Sequence, residues 1–236
     1  MTAYRYAVYA VPDVDHPLWR MAAAWIGRDV GDDRNIAQMA LPTLTADRFF
    51  ALTTEARRYG FHGTLKAPFR LADGLSEGEL LHAVRRFAAR RPPLAVRLAA
   101  DDGLGFLALR PVGDIQALHQ LADDCVREFD RLRAPLTLPE VQRRLGKGLS
   151  DRQHALLLQW GYPYVLDEFR FHMTLADRCD REDERDLLLS TAKLCFSEIL
   201  NNPIPLQIAL FAELRPGSAF QLIEADVRSA SVLGSN

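Results

Sequence analysis

Two short segments of this chain carry the same chemistry-bearing pattern, Phe61-His62-Gly63-Thr64-Leu65 and Phe171-His172-Met173-Thr174-Leu175. At ordinary residue usage a given histidine falls in Phe-His-x-Thr-Leu only a few times in ten thousand, roughly. Two occurrences among six histidines are therefore more than coincidence. An extended strand has a side-chain period of two, which puts His62 with Thr64, and His172 with Thr174, on one face. Phe61, Gly63 and Leu65, like Phe171, Met173 and Leu175, then face a core. An imidazole with an ordinary pKa of ~6.5 takes or gives a proton near neutral pH. Two of them across one phosphate can serve as base and acid, each role worth roughly 10²–10⁴ in rate. The threonine hydroxyls can hydrogen-bond the non-bridging oxygens, where charge builds. This is phosphoester chemistry, and no cofactor is expected. Two histidines are too few ligands for a typical zinc site and neither motif holds a carboxylate, so no metal is expected either.

The same period nominates further residues. Lys66, two beyond Thr64, and Arg170, two before His172, are expected on the cleft face as substrate contacts, Lys66 for a second phosphate. Tyr6 is a candidate contact from the first strand, with core packing as the competing role. The segment Arg143–Arg152 carries four positive charges against one negative. Its Gly146-Lys147-Gly148 lacks the GxxxxGK[ST] spacing of a nucleotide phosphate loop. It reads either as a flap bringing cations to an anionic substrate or as a solvated linker between helices. Trp160, Tyr162 and Tyr164 could form a stacking wall, though core and turn positions around Pro163 are the simpler reading. His16, His82, His119 and His154 fall on helices or helix starts and are assigned structural or surface roles.

The elements that must position these groups are legible in outline. Strands are expected at 4–11, at about 59–68 and at 169–176, where β-branched and aromatic residues concentrate. Helices are expected at 15–27 (Asp15 as cap, Gly27 as stop), 45–57, 76–90, 114–132, 139–146, 150–159 and 181–199. Ser76 and Glu79 have the spacing of a capping box. Hairpins are expected at 94–100 with 104–110 and at 204–214 with 219–227. Each motif strand is followed by a helix, a proline break and a hairpin, with 28 residues from Thr64 to Pro92 and 29 from Thr174 to Pro203. The expectation is an α+β fold of two pseudo-symmetric lobes, each with an antiparallel sheet and helices, and a central cleft between them. Residues 1–228 are read as one bilobal domain, with a first-motif segment at 58–112, a helical insertion at 133–168 and a second-motif segment at 168–228. Residues 229–236 are read as a flexible tail.

Composition narrows the partners. Among 236 residues, 29 Lys and Arg against 31 Asp and Glu leave a net charge of −2, and 48% of residues are hydrophobic. Such a chain is too apolar and too balanced to be disordered. Near-neutrality argues against an extended nucleic-acid footprint. Three cysteines without CxxC spacing suggest neither a disulfide framework nor a zinc knuckle, and fit a reducing cytoplasm. No signal-peptide pattern opens the chain and no stretch is long and apolar enough to suggest a membrane span. The expected partner is a small phosphorylated substrate, and no oligomeric state is read from the sequence.

The paired His-x-Thr motifs, each behind an aromatic residue on a strand, resemble those of the 2H phosphoesterase superfamily. The longer strings Arg58-Tyr59-Gly60-Phe61-His62-Gly63-Thr64-Leu65-Lys66-Ala67-Pro68-Phe69 and Trp160-Gly161-Tyr162-Pro163-Tyr164-Val165, then Phe169-Arg170-Phe171-His172-Met173-Thr174-Leu175, are similar to the branch encoded beside bacterial carbon–phosphorus lyase genes. The resemblance spans about residues 4–228. It implies a bilobal fold and metal-independent hydrolysis of a cyclic phosphodiester, with His62, Thr64, His172 and Thr174 as the catalytic set. A ribose cyclic phosphate from phosphonate breakdown is the substrate it implies first. An RNA-end 2′,3′-cyclic phosphodiesterase and a non-catalytic phosphometabolite-binding subunit are the alternatives.

Overall fold

A computed structural model describes residues 3–42, 44–146 and 148–225. Lys147 and the tail expected at 229–236 lie outside them. In chain order the elements are β1 (Arg5–Pro12), α1 (Pro17–Ile26), β2 (Arg28–Asp29), β3 (Arg34–Asn35), α2 (Ala46–Leu52) and α3 (Thr54–Tyr59). Next come β4 (Gly63–Phe69), α4 (Glu77–Ala89), β5 (Leu94–Val96), β6 (Leu98–Asp101), β7 (Phe106–Pro111) and α5 (Gln116–Asp130). The chain continues through α6 (Leu138–Leu145), α7 (Asp151–Trp160), β8 (Met173–Arg178), α8 (Glu182–Leu200), β9 (Ile204–Glu213) and β10 (Phe220–Glu224). Strands and helices mix as an α+β fold.

Local chemistry explains most boundaries. Gly27 ends α1 in the left-handed conformation at φ 79°, a geometry that favours glycine. His16, not Asp15, caps that helix, its Nδ1 accepting from the Leu18 N–H at 3.1 Å. Asp15 instead gives its N–H to Asp13 Oδ1 in the preceding turn. Ser76 and Glu79 form the expected capping box of α4. The single helix expected at 45–57 is two helices meeting at Thr53, whose hydroxyl bonds the Phe49 and Phe50 carbonyls at 3.2 Å. That competes with the backbone ladder and turns the chain.

The main sheet runs β10-β9-β1-β4-β8-β7-β6, with β5 also paired to β9 and every pairing antiparallel. At its centre β4 and β8 share only one registered pair, Gly63 with Met173. The sheet is thus two wings, β9-β1-β4 and β8-β7-β6, hinged at the motif strands. Strand order places the repeat differently from the expectation. One half runs β1, helices, β4, α4, then β5 and β6. The other runs β7, helices, β8, α8, then β9 and β10. The last strands are exchanged, since β6 pairs with β7 and β9 with β1. The segment 58–112 is therefore no lobe by itself, and the hairpin around Asp102 joins the end of one repeat to the start of the next.

One face of the sheet carries the principal core. Tyr6, Val8 and Ala10 of β1 pack there with Trp25, Phe49, Phe87, Phe129 and Phe196. Ala7, Tyr9 and Val11 point to the opposite face, against Trp19, Phe211 and Phe220. Trp25 pins α1 to the second wing through Nε1–H donated to the Leu175 carbonyl at 3.0 Å. Among the described residues no helix is long and apolar enough to cross a membrane.

Candidate active site

The motif strands show the alternation that the period-two rule demands. Phe61, Gly63 and Leu65, and Phe171, Met173 and Leu175, are buried, while His62, Thr64, His172 and Thr174 are partly exposed. All four polar side chains line one chamber of about 390 Å³ on the face opposite the principal core. The two histidines are fixed alike. The His62 Nδ1 lies 2.9 Å from the Gly60 carbonyl oxygen, and the His172 Nδ1 lies 2.8 Å from that of Arg170. A carbonyl only accepts, so each Nδ1 carries the proton and donates it. Each Nε2 is then an acceptor when the ring is neutral, and that of His62 accepts from the Thr64 hydroxyl at 3.3 Å.

Electrostatics makes these imidazoles poor cations. Burial pushes His62 down to about 4, and His172 pushes it the same way. Burial lowers His172 as well, and the Arg110 guanidinium adds to that. Both are neutral at pH 7 until an anion arrives to favour the imidazolium form.

Tyr9 is the contact the sequence reading missed. Its ring stacks on His62 at 3.7 Å between centroids and 22° between planes. It is 1% exposed and sits where β1 pairs with Thr64. Tyr6, the residue nominated instead, is three positions earlier and on the opposite face. It is fully buried, and its hydroxyl donates to Glu77 Oε2 at 2.8 Å. Strand parity alone separates the two tyrosines, and it would have found Tyr9 had the outward face of β1 been known.

Lys66 is also displaced from the cleft. Val8 pairs with Lys66 and Tyr9 with Thr64, so one extra β4 residue sits between adjacent β1 positions. Such a bulge reverses facing. Lys66 therefore points toward the core side, 3% exposed, where its Nζ donates to Asp130 Oδ1 at 3.1 Å and to the Val126 carbonyl at 3.2 Å. It straps α5 to β4. Asp130 keeps Arg133 as a second partner at 2.9 Å, so Lys66→Met is expected to cost about 1–2 kcal/mol of stability. Its kcat/KM should stay within about threefold of wild type, a ratio steady-state kinetics and thermal melts read together; a loss beyond tenfold with a normal melt would return Lys66 to the cleft.

Three arginines take the place assigned to Lys66. Arg5 from the start of β1 and Arg143 and Arg144 from α6 line the histidine chamber, as does Tyr162. Glu55 and Asp177 line it too, but both are engaged. Asp177 accepts the backbone N–H groups of Glu55 and Ala56 at 2.8 and 3.2 Å, and Glu55 faces Arg58 at 3.4 Å. A second chamber of about 430 Å³ adjoins the first and shares Thr64, Ala67, Tyr162 and His172 with it. Arg170, exposed, lines this second chamber together with Tyr164, Phe106 and Phe169. Tyr162 and Tyr164 thus face cavities instead of serving only as turn residues, while Trp160 packs with Val126, Leu156 and Val165. Arg152, at the far end of the basic segment, pairs with Asp167 on the surface. No group of three or more His, Cys, Asp or Glu converges to hold a metal ion among the described residues.

Fold and site together define an α+β protein whose two-winged sheet carries one His-Thr pair per wing around a shared, arginine-lined cleft. The chain belongs to the family described as Protein of unknown function (DUF1045), which matches residues 64–221. That span holds Thr64, both chamber residues of α6 and the whole second motif, and begins two residues after His62. Two curated relatives are both called "Ribose 1,5-bisphosphate phosphokinase PhnN". The chain is 43% identical over 174 residues to that of Janthinobacterium sp. (strain Marseille), covering 73% of this chain and 38% of the relative. It is 38% identical over 222 residues to that of Laribacter hongkongensis (strain HLHK9), covering 92% and 50%. The chain spans at most about half the length of these relatives.

Proposed function

We propose that the cleft opens the cyclic phosphodiester of a phosphorylated ribose, with ribose 1,2-cyclic 5-phosphate as substrate and ribose 1,5-bisphosphate as product. The observation that carries this reading is the matched pair of imidazoles, each tied through Nδ1 to a carbonyl two residues upstream, with two threonines in the same chamber. Water attacks phosphorus in line with the C2 oxygen. One Nε2 takes the water proton, the bond from phosphorus to the C2 oxygen breaks, and the other imidazolium protonates that oxygen. The phosphate stays on C1 as a monoester. His62, held down to about 4 by burial, is assigned as base, and His172, also lowered by burial, as acid. Thr64 and Thr174 hydrogen-bond the non-bridging oxygens.

The names of the relatives support the choice of bond. A kinase acting on ribose 1,5-bisphosphate consumes the product that this ring opening forms. The chain has no GxxxxGK[ST] sequence of its own, so the kinase chemistry is assigned to the part of those relatives that this chain does not span. A nucleoside 2′,3′-cyclic phosphate is the second reading, favoured by the aromatic wall of Tyr162, Tyr164 and Phe106 beside His172. Assay of ribose 1,2-cyclic 5-phosphate, nucleoside 2′,3′-cyclic and 3′,5′-cyclic phosphates by phosphorus NMR separates them. The ribose compound is expected to turn over to the 1,5-bisphosphate, with EDTA present or absent. Turnover of the nucleotides alone selects the second reading, loss in EDTA selects a metal mechanism, and no turnover of any leaves a binding module.

A further inference from the structure

Arg144 is half-buried in a way the fold alone does not explain. Its Nη1 is shielded from solvent and has no hydrogen-bond partner, a state that native proteins avoid. Burial disfavours its charge and Glu140 favours it, while Arg143 beside it and Arg5 act in the same direction as burial. Arg5 is itself held by Glu213, a fully buried carboxylate that also pairs with Arg58 at 2.8 Å. One carboxylate thus serves two guanidiniums there, and Arg143 and Arg144 add two more positive charges. An arginine cluster converging on a cavity, with one guanidinium nitrogen lacking a partner, has the chemistry of an anion site.

The position of the cluster says which anion. Tyr9 stacks on His62, and Arg5 lies four residues back on the same face of β1, whose register against β9 is unbroken from Arg5 to Pro12. At ~3.3 Å per residue the two Cα atoms are roughly 13 Å apart. The arginines therefore approach from one end of the chamber and the histidines from the other. A separation of that order has room for a pentose between an anion at the arginines and a phosphate at the histidines. A chamber of about 390 Å³ is in the usual range for a small ligand.

We propose that Arg5, Arg143 and Arg144 form a binding subsite for a phosphomonoester, the non-reacting 5-phosphate of the substrate. This deepens the cyclic phosphodiesterase reading and rests on it for the substrate's identity, though not for the existence of the anion site. A bidentate guanidinium suits a dianionic monoester better than the singly charged diester at the histidines. Substrates without the second phosphate leave Arg144 unpartnered and lose binding accordingly.

Kinetics on ribose 1,2-cyclic phosphate with and without its 5-phosphate, using wild type, Arg144→Met and Arg144→Lys, tests the subsite. Wild type is expected to prefer the 5-phosphorylated compound by about 10- to 100-fold in kcat/KM, the range of one to two charge-assisted hydrogen bonds. Arg144→Met is expected to bring that ratio close to one, and Arg144→Lys to restore part of it. Equal use of both compounds by wild type, or a preference kept by Arg144→Met, overturns the subsite and leaves the cyclic phosphodiesterase reading in place. A fall in kcat equal for both compounds also overturns it, because Arg144 would then serve the reacting phosphate. Calorimetric titration with ribose 5-phosphate decides the matter should no cyclic compound turn over. Binding weakened tenfold or more in Arg144→Met keeps the anion site without the catalysis, and binding that is absent or unchanged removes it. Arg144→Met should melt no lower than wild type, since it removes a half-buried charge whose Nη1 has no hydrogen-bond partner; if it fails to fold, Arg144→Lys and Arg143→Ala carry the same comparison.

Discussion

Replacing either motif histidine is expected to lower kcat by about 10²–10⁴-fold on the cyclic substrate while leaving the fold intact. His62→Ala removes the proposed base and unstacks Tyr9, so His62→Gln serves beside it to hold the packing. His172→Ala removes the proposed acid, and with its ring go an edge contact with Phe106 at 5.1 Å and the Nδ1 hydrogen bond to the Arg170 carbonyl. The double variant should be hardly slower than the worse single variant, because base and acid act in one step and are not additive. The pH profile adds a separate signature. Catalysis needs one imidazole neutral and the other protonated, yet burial lowers both, His62 to about 4. The profile of kcat/KM, which reports the free enzyme, should therefore peak on the acid side of neutrality and fall as pH rises past 6.5. The bound anion raises both imidazoles, so the kcat profile should lie at higher pH. Stability runs the opposite way. The unfolded chain protonates His62 near 6.5 and the folded chain only near 4, so stability present above pH 6.5 is lost as pH falls through that window. Retention of full activity by either single variant, or a kcat/KM optimum above pH 8, would sink the assignment.

The legibility of these groups in the sequence follows from how local each determinant is. His62 with Thr64 and His172 with Thr174 are readable because a strand's period of two is a property of two adjacent residues. Lys66 fails the same rule because a bulge depends on the partner strand, where β4 spends an extra residue against β1. Tyr6 and Tyr9 differ only in parity, and parity becomes a facing once the sheet is assembled. The repeat was visible as spacing, but its true unit begins one strand before each motif, at β1 and at β7. That could not be read while 94–110 passed as a single hairpin, since β5 turns away to pair with β9. Arg143 and Arg144 are the most distant case. Helix α6 follows the first motif by some seventy residues of chain, and its basic end reads either as flap or as linker until tertiary packing brings it to the chamber with Arg5.

Gly63→Ala is the smallest change with the second-largest expected effect, and its mechanism runs through the hinge between the wings. Gly63 forms the one registered pair joining β4 to β8, opposite Met173. A Cβ at Gly63 would stand 2.2 Å from Phe171 Cζ and 2.3 Å from its Cε2, well inside contact distance. The backbone of Gly63 needs no left-handed angle; it is glycine because the Phe171 ring occupies the space a side chain would need. That ring is 3% exposed and sits in the principal core, so it has little room to swing away. Overpacking of this kind costs about 1–3 kcal/mol and sometimes more, which at this chain length lowers the melting temperature by roughly 2–12 °C. Relief comes most readily by parting β4 from β8 at their single pair. Those strands carry His62 and His172 one residue to either side of that pair's members, so the same movement pulls base from acid. A misplacement of about 1 Å costs on the order of 10²-fold in rate, and kcat should fall by that much with KM changed less. Phe171→Leu in the Gly63→Ala background tests the cause. It removes the ring atoms that meet the new methyl, and the pair should recover part of both the melt and kcat, a coupling that a double-mutant cycle measures. Gly63→Ala with unchanged melt and kcat would show that the wings tolerate a wider joint and that the histidine spacing is set elsewhere.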